Sequence, residues 1–231
     1  MKKVKYVYYE KDKKTHILGK SKLIETEKWI VKGVKVKPVE KVKLVDARNI
    51  SSYLSGNVKF KILKWNTSKE KRYFISIDCF AGLIGAMVEE SIQDLCFNGF
   101  SDIDGKPGGS STHLNGVAGD LRYLSINKDA SVQLLGYTTF DYERQVKFNN
   151  ALYKFGWGRT QKMLSENFNR KVKKEVINPK TKKKEIKEVS EKTLLPHTKH
   201  KKFKKKNGVW VRHNNHLHIY GFQYSLIKTK S

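Results

Sequence analysis

Two short stretches concentrate the residues able to hold a metal ion. Ser111 to Asp120 reads S-T-H-L-N-G-V-A-G-D, and His213 to His218 reads H-N-N-H-L-H. His113 and Asp120 offer one imidazole nitrogen and one carboxylate oxygen, and the second stretch offers two or three further imidazoles. Three protein ligands of these types around zinc leave a fourth position for water, which separates a catalytic zinc site from a closed structural one. His216 and His218 stand two apart in an apolar run with Leu217, Ile219 and Tyr220. Residues i and i+2 of a strand point to one face, so both imidazoles can reach one ion. His213 lies three residues earlier, after V-W-V at Val209 to Val211; Asn214 and Asn215 tolerate a bend that would bring it to the same pocket.

Such ligands need rigid supports. Asp120 opens D-L-R-Y-L-S, which reads as a strand starting at the metal, a firm mount for a ligand. Arg122, two residues on, faces the same way and is a candidate to bind a substrate carboxylate. Gly108 and Gly109 would let the backbone approach the pocket closely before Ser111 and His113.

Ser111, His113, Gly116, Ala118 and Asp120 fill the fixed positions of S-x-H-x-x-G-x-A-x-D, and His216-Leu217-His218 fills H-x-H. This pair of motifs resembles the signature of LAS-type zinc peptidases, the lysostaphin-like, D-alanyl-D-alanine carboxypeptidase-like and hedgehog-like domains. H-x-x-H-x-H at His213, His216 and His218 is similar to the penicillin-insensitive murein endopeptidases. The resemblance implies that His113, Asp120 and His218 bind zinc and that His216 sits beside the water at the metal. It places His213 at the base position, where related dipeptidases and carboxypeptidases carry a glutamate. Ser111, which opens the motif, joins Arg122 as a substrate-binding candidate. The motifs cover roughly residues 75 to 231; the first 55 residues match no pattern. The implied reaction is hydrolysis of D,D cross-links in peptidoglycan stem peptides. A D,D-carboxypeptidase on the same site, a basic nuclease and a non-catalytic wall-binding protein are the alternatives.

The chain has 231 residues, 38% of them hydrophobic, enough for a core and against a disordered chain. Its 48 Lys and Arg against 22 Asp and Glu give a formal charge of +26, a field that draws polyanions: cell wall, anionic lipid or nucleic acid. Nucleic acid is the least expected of these, because the Ser111 to Asp120 motif would then be an accident. No run approaches the roughly 20 apolar residues of a membrane-spanning helix. M-K-K-V-K-Y-V-Y-Y-E has the basic start of a signal peptide without its apolar stretch, so action in the periplasm or wall implies delivery by a contact-dependent secretion system or by phage lysis. An antibacterial effector of this kind would have an immunity protein as partner. Cys79 and Cys96 are expected as buried thiols rather than as a disulfide closing a loop of about 16 residues.

The expected fold is α+β: an antiparallel core sheet carrying the zinc site, with flanking helices, as in the LAS-type fold. Residues 1–55 read as a basic, β-rich N-terminal extension packed on the catalytic domain of residues 56–231. The runs at 58–65 and 72–78 suggest a hairpin. Leu83, Ile84, Met87, Val88, Ile92 and Leu95 recur at helical spacing, giving a helix over Phe80 to Phe97 with Glu89, Glu90 and Asp94 on its solvated face. A second helix spans Asp141 to Phe155. Within a lysine-rich insertion around residues 170–206, Lys171 to Lys187 flanks N-P-K-T-K and reads as a projecting cationic hairpin; His197 and His200 fall in an exposed basic loop.

Overall fold

The computed structural model describes residues 2–9, 15–31, 34–35, 39–50, 52–55, 58–65, 72–107, 110, 112–201, 204–206 and 209–226. Mostly sheet, the fold is α+β, with two α-helices among these residues. From the N-terminus, β1 (Lys3–Tyr9) pairs antiparallel with β2 (Thr15–Lys22). Next come β3 (Ile24–Glu27), the short pair β4 (Trp29–Val31) and β5 (Val34–Lys35), and β6 (Lys41–Asp46). They are followed by β7 (Ser52–Ser55), β8 (Val58–Trp65), β9 (Phe74–Ser76), α1 (Ile77–Glu89), β10 (Leu95–Gly99) and β11 (Gly119–Arg122). The chain continues through α2 (Tyr142–Lys154), β12 (Met163–Ser165), a long hairpin of β13 (Phe168–Ile177) and β14 (Lys184–Thr193), β15 (Thr198–His200), the pair β16 (Lys204–Lys206) and β17 (Val209–Val211), and β18 (His216–Ile219).

The central sheet has seven strands in the order β15-β12-β18-β11-β10-β8-β7. It is mixed rather than antiparallel as expected, because β8–β10 and β12–β15 run parallel. The antiparallel middle, β12-β18-β11-β10, is the part that carries the motif residues. Nor do β8 and β9 form the expected hairpin: β8 lies between β7 and β10, whereas β9 joins β6 in a separate sheet ordered β3-β6-β9. Alternating residues make each a strand, but alternation does not choose a strand's partner.

α1 reads I-D-C-F-A-G-L-I-G-A-M-V-E and is buried nearly all round, from Cys79 through Val88 apart from the partly exposed Ala81. Gly82 and Gly85 allow this: a Cβ on either would stand 2.5 Å from Phe155 at the end of α2. The helix stops at Glu89, well short of Phe97. Ser91 has a left-handed φ of 50°, and Leu95 to Gly99 turn back as a strand. Ile92 and Leu95 fit a helical period and a strand buried on both faces alike, so periodicity alone runs the two elements together. Asp94, expected on a solvated face, is instead buried and forms an ion pair with Arg144 of α2. Glu89 does face solvent, paired with Lys154.

In α2, Asp141 accepts a hydrogen bond from the Arg144 N–H as N-cap. Its inward face includes Phe148, Ala151 and Leu152, but also Gln145 and Asn149. Those amides form a chain: Leu124 N donates to Gln145 Oε1, Gln145 Nε2 to Asn149 Oδ1, and Asn149 Nδ2 to Pro196 O. One hydrophobic cluster joins both helices, the central sheet and the N-terminal strands, with Tyr6, Leu18, Val45 and Ala47 among its members. Tyr6 meets Phe80 edge-on, ring centres 5.3 Å apart. Cys79 and Cys96 are both buried, with no disulfide between them. No helix among the described residues is long and apolar enough to cross a membrane.

Candidate metal centre

The register of β11 against β18 builds the site. Asp120 lies opposite His218 and Arg122 opposite His216, while Leu121 faces Leu217. Because directly opposed residues share a face and the period along a strand is two, all four polar side chains emerge on one side. Leu121, Leu217 and Ile219, fully buried, enter the core on the other side. A slip of β18 by one residue would turn both of its imidazoles into that core and Leu217 and Ile219 out of it, so the apolar residues fix the register that sets His218 opposite Asp120.

His113 reaches this face from the turn Leu114–Gly116 and is fully buried. Gly116 has φ +65°, and a Cβ there would stand 2.7 Å from Ile75 Cα and Ser76 N; the motif glycine is what lets the turn pass β9. Asn115, at φ 55°, clasps the N-terminal strands: Trp29 N donates to its Oδ1 at 2.9 Å and its Nδ2 donates to Trp29 O at 2.7 Å. Trp29 Nε1 also donates to Asp104 O, bracing the loop before the motif.

Three ligand atoms converge. His113 Nε2 lies 3.3 Å from His218 Nδ1 and 3.4 Å from Asp120 Oδ1, and His218 Nδ1 lies 2.7 Å from Asp120 Oδ1. A tetrahedral zinc with bonds of about 2.0–2.1 Å separates its ligand atoms by about 3.3 Å along each edge. Two of the three separations match that edge, and the third shortens because His218 and Asp120 meet as hydrogen-bond partners. These residues are the one group of three or more potential metal-binding side chains found among the described residues. Thr112 Oγ1 stands 3.4 Å from His218 Nε2, placed to accept the hydrogen that this nitrogen carries when Nδ1 binds a metal. Arg72 Nη1 stands 3.4 Å from His113 Nδ1, the ring nitrogen other than the one that meets Asp120 and His218.

Charge follows this geometry. Burial opposes ionisation of Asp120, but the His113, His218 and His216 imidazoles outweigh it and hold the carboxyl well below the usual carboxylate range. Burial lowers His218 and His216 from 6.5 although Asp120 pulls both upward, which favours the neutral imidazole that a metal requires.

His213 and His216 lie beside this trio. Their ring centres are 4.9 Å apart, and that of His213 is 5.9 Å from that of His218, so the bend at Asn214 and Asn215 does return His213 to the pocket. His216 Nε2 is 3.7 Å from Asp120 Oδ1, and its Nδ1 is 2.7 Å from Asn215 Oδ1; an oxygen there requires Nδ1 to carry the hydrogen and leaves the Nε2 lone pair towards the site. Burial pushes His213 down to about 3, and its Nδ1 has no hydrogen-bond partner. Its backbone is held on both sides: its N–H donates to Glu166 Oε1 at 2.6 Å and its carbonyl accepts from the Tyr123 hydroxyl at 2.8 Å. Glu166, Thr112, Arg72 and the Asn115–Trp29 clasp escaped the sequence reading, since nothing local marks residues whose partners lie so far along the chain.

Arg122 shares the ligand face, and its Nη1 donates to Ala130 O at 2.9 Å. Ser111, Gly108 and Gly109 lie outside the described residues. His197 and His200 do not join the site: His197 stacks on Tyr153 at 3.8 Å, and His200 Nδ1 accepts from Asn167 N. No protein-family model, no curated protein and no solved structure matches this chain.

Proposed function

We propose that the chain is a zinc-dependent peptidoglycan hydrolase, a D,D-endopeptidase opening cross-links between stem peptides. The observation that carries the metal is the convergence of His113 Nε2, Asp120 Oδ1 and His218 Nδ1 at separations suited to one tetrahedral ion. The two motifs, and the LAS-type fold they imply, support the choice of peptidoglycan. When bound, zinc supplies a Lewis acid for the scissile carbonyl and acidifies water near neutral pH.

The residues of the chain do the rest. His216, neutral and with its Nε2 lone pair near Asp120, accepts the proton of the attacking water; the adjacent carboxylate stabilises the imidazolium that forms. His213 is a weak proton acceptor, and a proton relayed to it passes readily to the leaving amine because burial disfavours its cation. The Nε2 lone pair facing the site is what puts His216 forward as the base, the role the motif gives to His213. Glu166 and Tyr123 fix the His213 backbone so that its ring stays beside His216. Arg122, on the same face, favours a second reading in which it binds a terminal carboxylate and the enzyme trims D-alanine from uncross-linked stems.

Digestion of purified cross-linked peptidoglycan by the zinc-loaded protein, followed by mass spectrometry of the muropeptides, tests these readings. Loss of cross-linked dimers with gain of intact monomers is expected, and His113→Ala abolishes it. Loss of terminal D-alanine alone moves the assignment to a carboxypeptidase. Unchanged muropeptides with zinc bound overturn both.

A further inference from the structure

Among the described residues, the β13–β14 hairpin meets the body at its base. Phe168 is buried in the core, and Arg170 pairs with Glu143 and lies over the Tyr142 ring. From Lys171 to Lys192 no residue is buried. Ten residue pairs in unbroken register make an arm of about 30 Å at the usual rise per residue.

The charges divide along its length. The four glutamates are occupied by the shaft: Glu175 with Lys184, Glu185 with Lys187 and Asn178, Glu188 with Lys171, and Glu191 with Lys174. Lys180, Lys182 and Lys183 at the tip have no carboxylate partner among the described residues. The turn presenting them is ordered by its own bonds: Asn178 Oδ1 accepts from Lys180 N and Thr181 N, Asn178 O from Lys182 N, and Lys183 O from Asn178 N. The lysines are therefore held together without counter-charge.

Next to them are two isoleucines. Ile177 and Ile186 are 66% and 75% exposed, and the register puts them on the same hairpin face, one step apart across the strands. A polyanion held by charge alone has no use for this pair. A layer offering phosphate at its surface and hydrocarbon just beneath satisfies both kinds of residue.

We propose that the hairpin tip docks on an anionic phospholipid surface, with Lys180, Lys182 and Lys183 at the headgroup phosphates and Ile177 and Ile186 entering the interface. This site is separate from the metal centre and does not rest on the peptidase reading.

Co-sedimentation of the full chain with vesicles tests it, comparing phosphatidylcholine alone with an equal mixture of phosphatidylcholine and phosphatidylglycerol. The wild type is expected to bind the mixed vesicles and ignore the neutral ones. Lys180→Glu/Lys182→Glu/Lys183→Glu is expected to weaken binding about a hundredfold. Ile177→Ser/Ile186→Ser, which changes no charge, should weaken it about tenfold. Both variants alter exposed tip residues, so their Tm should equal that of the wild type. A wild type that binds neither vesicle overturns the proposal. So does an isoleucine variant that binds as tightly as the wild type, since that marks a surface for any polyanion, nucleic acid included.

Discussion

Replacing Asn115 by alanine tests how the N-terminal strands hold the turn that presents His113. The side chain makes two hydrogen bonds to the Trp29 main chain, at 2.9 and 2.7 Å, in a largely buried place. Each contributes about 1 kcal/mol, and their loss leaves a backbone N–H and a carbonyl without these partners. Alanine must also adopt the φ of 55° found at this position, costing about 1 kcal/mol. The sum is a destabilisation of about 3 kcal/mol. Asn115→Gly loses the same hydrogen bonds without the backbone term, so about 2 kcal/mol is expected. Urea unfolding of the metal-free protein measures both, and competition with a chelating dye measures zinc affinity, which should fall about tenfold as His113 loosens. Costs below about 1 kcal/mol for both variants would refute the clasp, and equal costs would refute the backbone contribution.

Gly119→Ala should destabilise by about 3 kcal/mol in the same unfolding assay, because its Cβ would stand 2.3 Å from the buried Phe100 ring; a wild-type midpoint would contradict this packing. Stability should also fall as the solution is acidified. The unfolded chain protonates His213 near 6.5, whereas the folded chain resists until about 3, so its contribution is complete above pH 6.5 and is lost as pH drops. At about 1.4 kcal/mol per pH unit, unfolding free energy should drop by about 2 kcal/mol from this residue between pH 6.5 and 5. His216 and His218 add in the same direction. His213→Asn should flatten the profile; an unchanged slope would show that His213 titrates normally in the folded protein.

The clustering of His113, Asp120 and His218 into a group that could hold a metal was legible because metal binding restricts residue types at short spacing, and H-x-H on an apolar strand can be checked by period alone. His113, Asp120 and His218 lie together although 105 residues separate the two histidines, since the motif glycine and the strand register are local features with long-range consequences. The cationic hairpin was legible for a similar reason: alternation on both sides of N-P-K-T-K closes on itself. Strand partners were not legible. The runs around Val58 and Phe74 are good strands that adjacency in sequence wrongly pairs, and the parallel neighbours of β8 and β12 come from distant segments. The polar faces misled as well. Asp94, expected on a solvated face, is buried because it pairs there with Arg144, just as Gln145 and Asn149 of α2 are buried with partners of their own.

Zinc titration of the purified metal-free chain by calorimetry, with X-ray absorption spectroscopy of the loaded protein, tests the metal centre most directly. One ion per chain is predicted, in a shell of nitrogen and oxygen at about 2.0–2.1 Å with the scattering of two imidazoles, and His218→Ala should abolish tight binding. No tight binding, binding that survives loss of His218, or a sulfur shell drawing on Cys79 or Cys96 would contradict a centre built from His113, Asp120 and His218.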